Sequence, residues 1–175
     1  MYSTSQRISA VFGLFTTVVF TLCAFIAATS WLFTPEPITE VSIRNVNVVK
    51  GRTAYQRSDK SQEYALLKFD LDYDLTSLFH WNTKQLFIYL VASYDTPQTT
   101  NEVVVWDRII QQKTQAKRRV RGEKNKYNVN DINGSFKDVN ATYSLHWNVM
   151  PQVGLLEWAS GAPSGVIEFP DAKQR

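Results

Sequence analysis

The sequence predicts an antiparallel β-sandwich of about seven strands carried on one N-terminal membrane-spanning helix. Three observations predict it. Residues 8–33 form an apolar run without a single charge. Two later segments alternate apolar and polar side chains with a period of two. No helical period follows residue 35.

The apolar run, ISAVFGLFTTVVFTLCAFIAATSWLF, is 26 residues long. As a helix it would reach roughly 39 Å, more than a hydrocarbon core of about 30 Å requires. Its hydroxyls, on Ser9, Thr16, Thr17, Thr21, Thr29 and Ser30, are expected to bond back to helix carbonyls and so to cost little in lipid. Trp31 and Phe33 at the far end suit the headgroup level. A buried core helix fits poorly, because no polar face recurs at helical spacing. A cleaved signal peptide competes, with residues 1–7 as its n-region and Ala27-Ala28-Thr29 near the cleavage site. Its apolar region would be about 7–15 residues. Here 19 residues precede the first small pair, so a retained anchor is expected.

The flanks set orientation. Arg7 and the chain amine lie on one side, and Glu36 and Glu40 are the first charges on the other. The positive-inside rule then puts residues 1–7 in the cytosol, residues 8–33 in the membrane, a connector at 34–40, and the domain 41–175 on the far side. Two sequons, Asn133-Gly134-Ser135 and Asn140-Ala141-Thr142, lie on that far side, so Asn140 and Asn133 are the expected glycosylation positions. The Asn-Gly turn at Asn133 works against its use.

About 140 residues beyond the anchor suit one domain. The net charge of +3 is too small to suggest a nucleic-acid partner. The one cysteine, Cys23, lies within the apolar run, so the domain has no disulfide and must be stabilised by packing. Five Trp, eight Tyr and ten Phe can supply the core.

Pro35 and Pro37 are expected to stop the helix. Val41 and Ile43, then Val46 and Val48, alternate with a phase slip, which predicts a strand bulged near Arg44-Asn45. Residues 51–62 read as a loop. Ala65, Leu67, Phe69, Leu71 and Tyr73 point one way and Lys68, Asp70, Asp72 and Asp74 the other, the pattern of a strand covering a core. The Asp-x-Asp-x-Asp run is not an EF-hand loop, because Leu75 stands where Gly is needed and Trp81 where Glu is needed. Residues 75–82 turn the chain. QLFIYLVASY at 85–94 is apolar on both faces and reads as a strand between two layers. Residues 97–101 read as a turn and 103–106 as a strand, which 107–112 either extend or end in a helical turn. Residues 113–126 carry seven basic side chains against Glu123 alone and read as a solvated loop or edge, or as a match for an acidic patch on a partner. Residues 132–135 predict a hairpin turn. Val139 to Val149 alternate again, with Pro151 as the stop. Residues 155–158 are apolar and short, 161–165 turn, and Val166, Ile167 and Phe169 make a last strand before a polar tail.

A catalytic constellation is not apparent. GAPSG at 161–165 has Ala162 where the nucleophile elbow needs Gly. No metalloprotease or phosphate-loop motif occurs, and His80 and His146, the only histidines, lack clustered ligands. A Ser-His-Asp set assembled from scattered residues, using Ser164 or His146, stays open. Trp147 follows the apolar phase of its strand and is assigned to the core. Trp81 lies at a turn and could serve a protein interface.

Three segments carry a resemblance. LFHWNTKQLFIYL at 78–90, VWDRII at 105–110 and LHWNVMPQVGLL at 145–156 are similar, in order and spacing, to motifs of the signal peptidase complex subunit 3 family. The likeness includes the anchor and the sequon at Asn140, while the basic tract 113–126 departs from it. The resemblance implies a non-catalytic, single-pass subunit of the endoplasmic reticulum membrane, with a lumenal all-β domain partnering the catalytic serine-peptidase subunit and other subunits. It implies no cofactor and no small-molecule ligand. Trp81, Asn82, Lys84, Trp106 and Asp107, within the motifs, are the expected interface residues. The remaining alternatives are a glycosylated surface-anchored binding module and an independent hydrolase.

Overall fold

The computed structural model describes residues 3–51, 62–96, 99–130, 135–137 and 139–174. Among the described residues one α-helix, α1 (Thr4–Ser30), precedes ten strands: β1 (Ile38–Gly51), β2 (Gln62–Asp74), β3 (Thr83–Asp95), β4 (Thr100–Ile110), β5 (Lys117–Lys124), β6 (Val129–Asn130), β7 (Asn140–Pro151), β8 (Glu157–Ser160), β9 (Ile167–Glu168) and β10 (Lys173–Gln174). Residues 52–61 of the expected loop 51–62, 97–98 of the expected turn 97–101 and 132–134 of the expected hairpin turn 132–135, with Asn133, lie outside the described residues, while Thr100 and Asn101 already belong to β4.

The helix starts and stops earlier than the apolar run. Ser3 and Gln6 form a reciprocal capping box, which carries the helix through Arg7 back to Thr4. It ends at Ser30, ahead of the prolines. Leu32 N–H bonds Thr29 O and Phe33 N–H bonds Ser30 O, three-residue closures that tighten the last turn. Thr16, Thr17, Thr21 and Thr29 hydroxyls donate to Phe12, Gly13, Thr17 and Ile26 carbonyls, as the sequence predicts. No residue of the helix is fully buried, although Ile26, Ala27, Thr29 and Ser30 near its end are partly covered.

Two five-stranded sheets face each other. One runs β10-β1-β2-β5 with β6 also on β2; the other runs β4-β3-β7-β8 with β9 also on β7. Pairing is antiparallel except that β10 lies parallel to β1, so part of the expected polar tail is a strand. The predicted alternation of β2 holds: Ala65, Leu67, Phe69, Leu71 and Tyr73 are buried. They meet Ile88, Leu90, Tyr143, Leu145 and Trp147 of the other sheet in one core. Phe69 sets its edge against Trp106, with centroids 5.9 Å apart at 74°.

β3 departs from expectation. Its inner residues Leu86, Ile88 and Leu90 are buried, but Phe87 and Tyr89 on the other face are only half covered. No second layer lies over that face among the described residues.

Both open sides of the sandwich are strapped. On one, Asn125 accepts the Leu67 amide through Oδ1 and donates its own amide to Leu67 O, while Lys126 and Tyr127 amides reach Val105 O of β4. On the other, the Gly161 amide donates to Leu145 O, and a Cβ on Gly161 would fall 1.9 Å from Thr39 Oγ1 of β1. Only glycine permits that approach.

Candidate functional site

Three surfaces carry the molecule's unusual chemistry: the foot of the helix, the charged face of β2, and the outer face of β3 and β7.

At the helix foot, Asn82 is 1% exposed and all its polar groups are engaged. Its Nδ2 donates to Ser30 Oγ (2.9 Å) and Val153 O (2.8 Å), its Oδ1 accepts the Val153 amide (3.1 Å), and its carbonyl accepts the Gln152 amide (2.7 Å). His80 Nδ1 accepts the Asn82 amide, and the His80 ring stacks on Phe33 at 4.7 Å and 9°. Gly154, at φ 129°, presses on the helix: a Cβ there would sit 3.3 Å from Ala27 Cβ. The last turn of α1 is thus held to both the β2–β3 and the β7–β8 turns.

On the charged face, bulges in β1 and β5 flank Asp70 from either side. The extra residue of β1, Arg44, reaches Asp70 at 2.6 Å. On β5, Gly122 at φ 62° turns its amide onto Asp70 at 2.7 Å. Arg121 grips Asp72 with both terminal nitrogens, at 2.5 and 2.6 Å. Lys117 meets Asp74 at 2.8 Å. The basic tract is therefore an edge strand whose cations neutralise the acidic ladder of its own neighbour. Partial burial opposes ionisation of Asp70, yet the Gly122 amide and Arg44 outweigh it and hold the carboxyl below the usual range. The Arg121 hydrogen bonds lower Asp72 likewise. Lys117, with help from Thr76, holds Asp74 down to about 2.

The outer face of the second sheet is different. In register across four strands lie Ile109, Phe87, Asn148 and Trp158. Asp107, Tyr89, His146 and Ser160 form the next row. Ile109 is 52% and Trp158 66% exposed, and Phe87 stacks on Tyr89 at 5.3 Å. Between them Asn148 is buried, and its Oδ1 has no hydrogen-bond partner among the described residues.

The expected interface residues therefore divide. Trp81 and Lys84 are exposed at the helix foot. Asn82 is spent on the intramolecular clamp. Trp106 is buried against Phe69, so its ring does not face outward. Asp107 lies on the outer face, accepting Lys126 Nζ (3.1 Å) and the Tyr127 hydroxyl (2.9 Å). Asn140 is exposed at the first residue of β7. Asn148 is not among the expected interface residues, although the alternation of its strand already sets it outward, between an inward Trp147 and an inward Val149.

The residues of a hydrolytic set are otherwise engaged. Ser164 Oγ accepts the Tyr143 amide and donates to Gly165 O. His146 pairs with Ser144 at 2.9 Å, and no carboxylate orients it among the described residues. No cluster of three metal-ligating side chains occurs among them either.

A family model described as signal peptidase subunit matches residues 1–172. A protein of Yarrowia lipolytica called signal peptidase complex subunit 3 is 36% identical over 97% of this chain and 98% of its own length. Its namesake in Schizosaccharomyces pombe is 36% identical over 94% and 92%. That of Gallus gallus is 39% identical over 77% and 72%. The chain, from its capped apolar helix to the strands after the second His-Trp-Asn, belongs to the signal peptidase complex subunit 3 family.

Proposed function

We propose that this chain is the non-catalytic, single-pass subunit of an endoplasmic reticulum signal peptidase complex. Residues 1–7 are cytosolic, α1 is a retained signal anchor, and the β-sandwich is lumenal. There it supports the catalytic subunit as signal peptides are removed from nascent chains. The observation that carries this reading is the match along the whole chain, joined to a helix long and apolar enough to cross a membrane. The structural engagement of Ser164 and the unoriented Ser144–His146 pair support a role without catalysis.

Another subunit seats on the outer face of β4-β3-β7-β8, where Ile109, Phe87 and Trp158 surround the unpaired Asn148 oxygen. A buried acceptor without a donor costs about 1–3 kcal/mol, a cost that a donor from a neighbouring subunit removes. Asp107 lies on this face, and Trp81 and Lys84 extend the contact at the helix foot. Asn140, exposed at the start of β7, carries the glycan.

Purification in mild detergent tests the reading. The catalytic subunit is expected to accompany this chain in stoichiometric yield, with a glycan removed by endoglycosidase H. Recovery of the chain alone, or with unrelated partners, contradicts it and favours a surface binding module.

A further inference from the structure

The turn at 152–156 has a feature that assembly with a soluble-domain partner does not explain. Leu155 in this turn is 79% exposed and lies beside the end of the helix. Together with Ala24, Ala27, Ala28, Trp31 and Gly154, it lines a groove of about 260 Å³ along the last two turns of α1. The lining is mostly apolar, with Pro151 and the Trp31 ring among it, and its polar members are Ser30 and Glu157.

Depth follows from the clamp. Asn82 ties Val153 to Ser30, and Gly154 touches Ala27. At about 1.5 Å rise per residue, Ala27 lies roughly 4.5 Å below Ser30 along the helix axis. The 27-residue helix is about 40 Å long, so it exceeds an apolar core of about 30 Å by roughly 5 Å at each end when centred. Ala27, and the turn pressed against it, then fall at the boundary of the hydrocarbon. Tilt would lower them further. Trp31, and Trp81 beside the Ser30-bound Asn82, fall about one helical turn higher, at the level where indole rings partition.

We propose that residues 152–156 form a second membrane contact, in which Leu155 inserts into the leaflet that the end of α1 crosses. The inference rests on the reading that α1 spans the membrane. Its occupant is lipid, because the groove is continuous with the lipid-facing surface of the span. Gly154 is the residue that permits it: a side chain there would be strained at φ 129° and would push the turn off Ala27. Two points of attachment, a helix and a loop, hold the domain at a fixed tilt over the bilayer. A single flexible tether would not.

The test places an environment-sensitive fluorescent amino acid at position 155, 166 or 14 of the full-length chain. Each variant is assembled into the complex and reconstituted in phospholipid nanodiscs. Val166, 71% exposed and next to the β9 residue paired with Ala141, serves as the aqueous control at the far end of β7. Leu14, in the middle of α1, is the lipid control. Quenching by doxyl-labelled phospholipid is compared with quenching by iodide. Position 155 is expected to follow Leu14, quenched several-fold more by lipid than by iodide, while 166 shows the reverse. Iodide quenching at 155 with lipid quenching at 14 overturns the inference and leaves the span standing. Shielding of 155 from both quenchers also overturns it, and assigns the groove to a partner's helix. Iodide quenching at 14 removes the span reading and the inference with it.

Discussion

The chain contains the tripeptide His-Trp-Asn twice, at 80–82 and 146–148, and the two copies meet opposite fates. In the first, which lies in a turn, the Trp is exposed, the His packs on Phe33, and the Asn is buried with every polar group satisfied. In the second, which lies in a central strand, the Trp is buried in the core and the Asn is buried with its oxygen unpaired. Backbone context decides the difference. A turn leaves its amides and carbonyls free for Asn82 to bond, whereas β7 has spent its backbone on β3 and β8 around Asn148. One asparagine is a structural clamp. The other has an oxygen for which no described residue supplies a donor.

Substitutions at equivalent positions of the two copies should therefore separate. The largest stability effect is expected from Trp147→Ala, about 3–5 kcal/mol for emptying a core indole site, read as a loss of thermal midpoint. Trp81→Ala should change stability by less than about 0.5 kcal/mol, as exposed positions do, and leave the midpoint nearly where it was. Next is Asn82→Leu, which strands the Val153 amide and carbonyl and should cost about 3 kcal/mol. It should also free the helix from the domain, measurable as faster amide exchange at Val153. Asn148→Leu is expected to leave the midpoint unchanged or raised, because it removes an unpaired oxygen, yet to weaken assembly about tenfold in detergent pull-down. Equal destabilisation by both asparagine variants would erase the contrast.

The acidic ladder gives the smallest effect. The folded carboxyls of Asp70, Asp72 and Asp74 lie below their ordinary value of 3.8, with Asp74 at about 2. A depressed pKa means that the folded state favours the ionised form. Its contribution is therefore complete above about pH 4 and is lost as pH falls through the folded values toward 2. Acid titration of the midpoint should show a shallow decline in that window, and Asp74→Asn should flatten part of it. Solvent exposure of these pairs keeps the effect modest.

Much of this was legible in the chain. The period-two alternations located β2 and β7 because each strand covers a core on one side only. The phase slip at Arg44-Asn45 marked a bulge, which the register confirms. The capping box at Ser3 and Gln6 is readable as Ser-x-x-Gln but lies outside the apolar run, so the helix begins ahead of the run that marks the span. Pairing of the basic tract with Asp70, Asp72 and Asp74 was not legible, since it joins residues about 50 positions apart across a sheet whose order no local pattern specifies. The same limit applied to Asn82. Its partners Ser30 and Val153 lie 52 and 71 residues away.

The outer face around Asn148 is the point on which the account turns. A photo-crosslinking amino acid placed at Trp158 in the assembled complex, with the same group at Asp72 as reference, tests it directly. The account predicts that position 158 captures another subunit of the complex while position 72, on the charge-neutralised face, captures none. Capture from 72 with none from 158 would contradict it.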